Sequence, residues 1–189
     1  SKKLYTVLTD LHEGNFAGIA LRWLYFISGL MGAGMIATGM MLWAIKRREK
    51  SQRTGKESTG LQWVEYSNMG IIVGLPLAIA VYFWANRIIP IDFANRENWE
   101  INSLFITWFI MLIGPFILAK KLTIQALWIK QLLLAAALYL SLPVLNAFTS
   151  DKNLVFALLQ GDWVMAGFDL TMILLGLSFG YAARHLMKK

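Results

Sequence analysis

Residues 17–45 read AGIALRWLYFISGLMGAGMIATGMMLWAI and run directly into Lys46-Arg47-Arg48-Glu49-Lys50. Arg22 is the one charged residue between Ala17 and Ile45. At a rise of about 1.5 Å per residue, a helix over this stretch is longer than the ~30 Å of a bilayer's hydrocarbon core. So long an apolar run, ended by a basic cluster, reads as a transmembrane segment with its stop on the cytoplasmic side. Gly29, Gly32, Ala33, Gly34 and Gly39 recur along it, and small residues let helix backbones approach closely in lipid.

Working outward, four more apolar stretches follow. They run over about 64–89, 102–119, 124–148 and 154–183, the third ending at Lys120-Lys121 and the fifth at Arg184-His185. The whole chain of 189 residues is 57% hydrophobic and 15% charged, with a mean hydropathy of +0.53. A soluble domain is about 45–50% apolar and about 25% charged. With five spans of about 20 residues each, almost nothing remains for a soluble domain. The expected fold is therefore all-α: a single integral membrane bundle over residues 1–189, with 46–63 as a polar loop. Pro76, Pro115 and Pro143 fall inside spans, where each is expected to kink its helix and leave a carbonyl for a neighbour to satisfy. Trp23, Trp43, Trp63, Trp84, Trp99 and Trp163 lie near the span ends, as an aromatic belt requires.

Charge sets the orientation. Placing the 46–63 loop in the cytoplasm puts 12 Lys and Arg on that side and 6 on the other, for net charges of +9 and −2. Lys and Arg are retained inside, so the N-terminus is expected to be periplasmic and the C-terminus cytoplasmic. The chain begins at Ser1 without a signal sequence, and a preceding segment is expected, either processed away or the first half of a larger protein. No cysteine is present, which excludes disulfides and thiolate chemistry. There is no phosphate-binding glycine loop, and the basic residues sit at span edges rather than in an aromatic-rich pattern for nucleic acid.

Two histidines exist, His12 and His185. His12 stands just outside the first span, followed by Gly14 and Gly18, with Arg22 about three helical turns on. Neutral imidazole ligates haem iron, glycines would admit a flat ring, and a guanidinium can pair with a propionate. The same residues also suit a solvated or capping His and a snorkelling Arg. His185 sits in a basic tail at the opposite membrane edge, about 30 Å of hydrocarbon away, so one iron cannot take both. Met31 or Met35 could supply a second axial ligand. Asp169 lies inside the fifth span, where an ionisable group is a functional candidate; it could pair with Arg22 or Arg87 or relay protons. Asn146 could hydrogen-bond between helices. Glu65 and Asn68 stand at the expected start of the second span, where the helix N-terminus favours an acid.

The run from Leu11-His12 through Gly18, Arg22-Trp23-Leu24, Ser28-Gly29-Leu30 and Thr38-Gly39 to Leu42-Trp43 and Lys46-Arg47-Arg48 resembles the PepSY-associated transmembrane proteins of bacterial iron uptake. The resemblance is concentrated over residues 10–50. It implies a multi-pass protein of the bacterial inner membrane, with haem b held by His12 on the periplasmic side. It further implies electron transfer towards a ferric siderophore, making a haem-dependent ferric-siderophore reductase the enzyme in question. The PepSY region and N-terminal spans of that family are absent from this sequence, so the missing half or another membrane subunit is the expected partner, with lipid around both. Two other readings stay open: an interaction or assembly subunit of a larger membrane complex, held through the small residues of span one, and a small proton-coupled transporter built on Asp169.

Overall fold

The structure is a computed structural model and describes residues 9, 18–55, 59–150 and 153–188. These residues form α1 (Ile19–Thr54), α2 (Thr59–Ile72), α3 (Gly74–Ile88), α4 (Arg96–Leu118), α5 (Ile124–Thr149), α6 (Leu154–Gln160) and α7 (Trp163–Met187), with no strand among them. Five helical stretches are long and apolar enough to cross a membrane: α1, α2 with α3, α4, α5 and α7. The chain divides into two compact units, residues 1–57 and 58–189.

In the first unit, α1 has 36 residues, about 54 Å of helix. It does not stop at Ile45. The basic run Lys46–Arg53 is helical too, and Gly55, at φ 64°, ends it in the left-handed conformation that glycine adopts without strain. Much of the stretch expected as a polar loop is therefore helix, because Lys, Arg and Glu propagate a helix well once it has been nucleated.

The second unit is a bundle. Its first span bends between α2 and α3 at Val73. The helical ladder resumes across the bend, with Val73 N–H donating to the Met69 carbonyl (3.1 Å) and Leu77 N–H to that of Val73 (3.0 Å). Pro76 falls in the first turn of α3, where a missing N–H costs least. α4 begins earlier than the apolar run does, because Arg96 and Glu100 pair at i,i+4 and Glu97 sits in the first turn. Thr123 caps α5 by accepting from Ala126 N–H (3.2 Å). The fifth stretch is two helices. Gly161, at φ 71°, closes α6, and Asp162 opens α7 by accepting from Met165 N–H (3.3 Å). α2 starts at Thr59, so Glu65 lies beyond its first turn and is buried at 8% exposure, with Asn68 at 2%. The macrodipole account expected for Glu65 fails, since that effect fades beyond the first turn.

The helices pack as a row: α4 on α2 and α3, α3 on α5, α5 on α7, with α6 against α7. Val73, Leu77, Leu132, Ala135 and Ala183 form one core cluster; Ala80, Tyr139, Leu142 and Met172 form a second. Both draw on α3, α5 and α7. Large apolar side chains elsewhere are exposed, among them Phe105, Phe109 and Ile113 on α4 and Leu170, Leu174 and Leu177 on α7. That is the surface of a protein in contact with lipid. In lipid, apolar surface alone does not drive helices together, so close backbone packing and interhelical hydrogen bonds must.

Both devices are present. A Cβ on Gly70 would lie 2.6 Å from Leu112 Cα, and one on Gly74 would lie 2.8 Å from Met111 Cβ. This Gly-x-x-x-Gly pair seats α2 and α3 on α4. A second, Gly176-x-x-x-Gly180, faces α5, where a Cβ on Gly176 would lie 2.6 Å from Leu140 Cγ. Hydrogen bonds complete the contacts. Pro115 has no N–H to give the Met111 carbonyl within α4, and Gln131 Nε2 on α5 donates to that carbonyl instead (3.0 Å). Tyr139 Oη donates to the Pro76 carbonyl (2.8 Å), and Trp84 Nε1 to the Leu138 carbonyl (3.2 Å). Replacing Gln131 by leucine is expected to lower bundle stability by about 0.6–1.7 kcal/mol, read as a reduced unfolding midpoint in a denaturing-detergent titration.

Candidate functional site

Where antiparallel helices alternate, the α3–α4 loop and the α5–α7 connection lie at one end of the bundle. The α4–α5 loop and the end of α7 lie at the other, where Gln125 Nε2 donates to the Leu186 carbonyl (2.6 Å). Two clusters of buried polar groups stand at the first of these ends, around Asp169 and around Glu100.

Asp169 is 1% exposed and Asn146 2% exposed. α7 brings Asp169 to the interface because its two small residues, Gly176 and Gly180, draw it against α5. From the start of α7 to Asp169 is about 9 Å of helix, well inside a segment long enough to span. Asn146 Nδ2 donates to Asp169 Oδ1 (3.1 Å), while Asn146 Oδ1 is buried without a hydrogen-bond partner. Arg87, in the last turn of α3, is within electrostatic reach of the carboxyl. Phe83 and Phe168 pack edge to face beside it, with centroids 5.1 Å apart. The interhelical role expected of Asn146 is thus found, with Asp169 as its partner.

A second cluster ties α3 to α4. Arg96 Nε lies 2.7 Å from Glu100 Oε1, and Arg96 Nη2 donates to the Asn86 carbonyl (2.6 Å). Asn86 Nδ2 donates to Glu100 Oε1 (3.2 Å), and Ser103 Oγ to the Glu100 carbonyl (2.6 Å). Glu100 is 8% exposed, so its carboxylate is held by Arg96 Nε and Asn86 Nδ2 rather than by water. The sequence reading passed over this group, although Arg96 and Glu100 at i,i+4 were there to be seen.

The residues expected around a haem are placed as follows. His12 and Gly14 lie outside the described residues. Gly18 is the residue before α1, and its carbonyl accepts from Leu21 N–H (3.0 Å) and Arg22 N–H (3.1 Å). Arg22, with Ile19, Trp23 and Phe26, lines a shallow depression along one face of the first turns of α1. Trp23 and Phe26 meet edge to face, centroids 5.9 Å apart. One cation among apolar rings is a chemically apt wall for a flat ligand with a carboxylate edge. His185 is in the last turn of α7, stacked on Tyr181 with centroids 6.5 Å apart. Among the described residues no three His, Cys, Asp or Glu gather to hold a metal ion.

Fold and surface define a multi-pass α-helical membrane protein. Residues 1–46 match the family model described as PepSY-associated TM region, in agreement with the resemblance carried by residues 10–50. The match covers 46 of the 189 residues and includes His12, Gly14, Gly18 and Arg22. No curated protein and no solved structure matches the chain.

Proposed function

We propose that the chain is the haem-bearing membrane part of an electron-transfer protein, acting on ferric siderophores in the bacterial inner membrane. The observation that carries this proposal is the match of residues 1–46 to the PepSY-associated TM region. His12 is the iron ligand in this proposal. Arg22 holds a propionate, Ile19, Trp23 and Phe26 supply an apolar wall, and Gly14 and Gly18 leave room for the ring. One-electron transfer is the chemistry that haem b supplies when bound there. In this reading the positive-inside rule puts His12 and His185 at opposite membrane faces. A second iron ligand would then come from a methionine such as Met31 or Met35, or from another membrane subunit.

The test is an absorption spectrum of the detergent-purified chain after haem loading, oxidised and reduced. The expected result is a Soret band that shifts on reduction, falls sharply in His12→Ala and persists in His185→Ala. A folded protein that retains no haem, or one whose Soret band is unchanged by His12→Ala, overturns the proposal.

A further inference from the structure

We propose that Asp169 and Asn146 together form a proton-binding site, in which Asp169 is held as the neutral acid by a cyclic pair of hydrogen bonds with the amide. The amide can both donate through Nδ2 and accept through Oδ1, and towards Asp169 the structure uses only the donor side. The acceptor, Asn146 Oδ1, is buried without a partner in a residue that is 2% exposed. A buried acceptor left unmade costs about 1–3 kcal/mol. A carboxylate beside it offers only further acceptors and makes matters worse. A carboxylic acid offers the missing donor. With one proton on the distal oxygen, O–H donates to Asn146 Oδ1 while Asn146 Nδ2 donates to Asp169 Oδ1, and both groups are satisfied at once.

The alternative is an ionised Asp169 held by a cation, yet the hydrogen bond that Asp169 Oδ1 receives comes from the neutral amide of Asn146. Arg87 from α3 is the cation within electrostatic reach, and Asp162 caps the start of α7, the helix that carries Asp169. The facing half of α5, from Pro143 to Thr149, and the whole of α6 carry no titratable side chain. A metal ion is a poor occupant too, since among the described residues no three acids or histidines gather here. The ligand is therefore a proton. It is taken from water at the end of the bundle marked by Arg87 and Asp162, converting carboxylate to acid. The site is built from residues of α5 and α7 and does not depend on haem.

Difference infrared spectroscopy on the full chain in lipid tests it. At neutral pH the protein is expected to show a protonated-carboxyl C=O band that Asp169→Asn abolishes. This variant keeps the ring as an amide–amide pair, so it is expected to fold. In Asn146→Leu the band should move to higher frequency as the hydrogen bond is lost; Asn146→Ser serves the same purpose if leucine prevents folding. The band should fade reversibly at alkaline pH, as a site that exchanges its proton requires. Absence of a neutral-pH band sensitive to Asp169→Asn overturns the proposal. So does a band that ignores Asn146, or one that never titrates.

Discussion

Replacing Gly70 by isoleucine is expected to prevent α4 from docking. A Cβ at this position would lie 2.6 Å from Leu112 Cα and 2.8 Å from Leu112 Cδ1. The first of these atoms is backbone, so no rotamer change relieves the clash, and α4 as a whole must move away. Overpacking of this kind costs typically 1–3 kcal/mol, and Gly70→Ala is expected in that range. Isoleucine adds three further carbons to the same seam. In lipid the helices have no hydrophobic drive to hold them together at the larger spacing, so loss of the contact is the expected outcome. Cross-linking between cysteines introduced on α2 and α4 reads it directly, with wild-type cross-linking expected and its disappearance in Gly70→Ile. Gly114 is the control. A Cβ there meets nothing within 4 Å, so Gly114→Ala should leave cross-linking intact. A Gly70→Ile protein that cross-links as wild type would show that the α2–α4 seam is not set by this glycine.

The second large effect is expected at Tyr139. Its side chain is 3% exposed, lies within a core cluster shared by α3, α5 and α7, and stacks on Phe179 with centroids 5.6 Å apart. Its hydroxyl also donates to the Pro76 carbonyl. Truncating a buried aromatic in a water-soluble protein costs about 3–5 kcal/mol, part of it transfer and part of it the cavity left behind. In a membrane the transfer part is largely missing, because helices separated in lipid keep their side chains in an apolar solvent. The cavity part remains. Tyr139→Ala is therefore expected to cost about 2–3 kcal/mol, and Tyr139→Phe about 0.5–1.5 kcal/mol for the hydrogen bond alone. Unfolding in mixed micelles with a denaturing detergent gives both values. Equal losses for the two variants would mean that the hydroxyl, and not the ring, holds α5 to α3.

The spans were legible because lipid demands long apolar runs, and residues such as Lys120-Lys121 mark where they end. The breaks within them were less so. Gly161 and Asp162 divide the last stretch into α6 and α7, yet a glycine and an aspartate beside apolar residues also fit an uninterrupted helix. The basic run after Ile45 reads as a loop on charge alone, whereas Lys, Arg and Glu are good helix formers. At the candidate site, Asp169 and Asn146 each stood out as polar residues in apolar surroundings. That they meet could not be read from sequence, because it depends on the rotation of α7 against α5, which Gly176 sets. The two Gly-x-x-x-Gly pairs were visible at Gly70 and Gly176. They were passed over in favour of the more numerous glycines of the first span.

The row of helices has a consequence for how the bundle comes apart. Almost none of the apolar stretch of α4 is buried, against nearly half of that of α2 and α3. The aromatic cluster around Tyr139 draws no residue from it. α4 is an end piece: removing it breaks the Gly70 seam, the Gln131 hydrogen bond and the Asn86–Glu100 cluster but leaves the aromatic centre around Tyr139 standing. Local opening takes the cheapest route available to the chain. The weakest cooperative unit of the bundle is therefore the α4 edge, while the Asp169–Asn146 pair sits in the part that yields last.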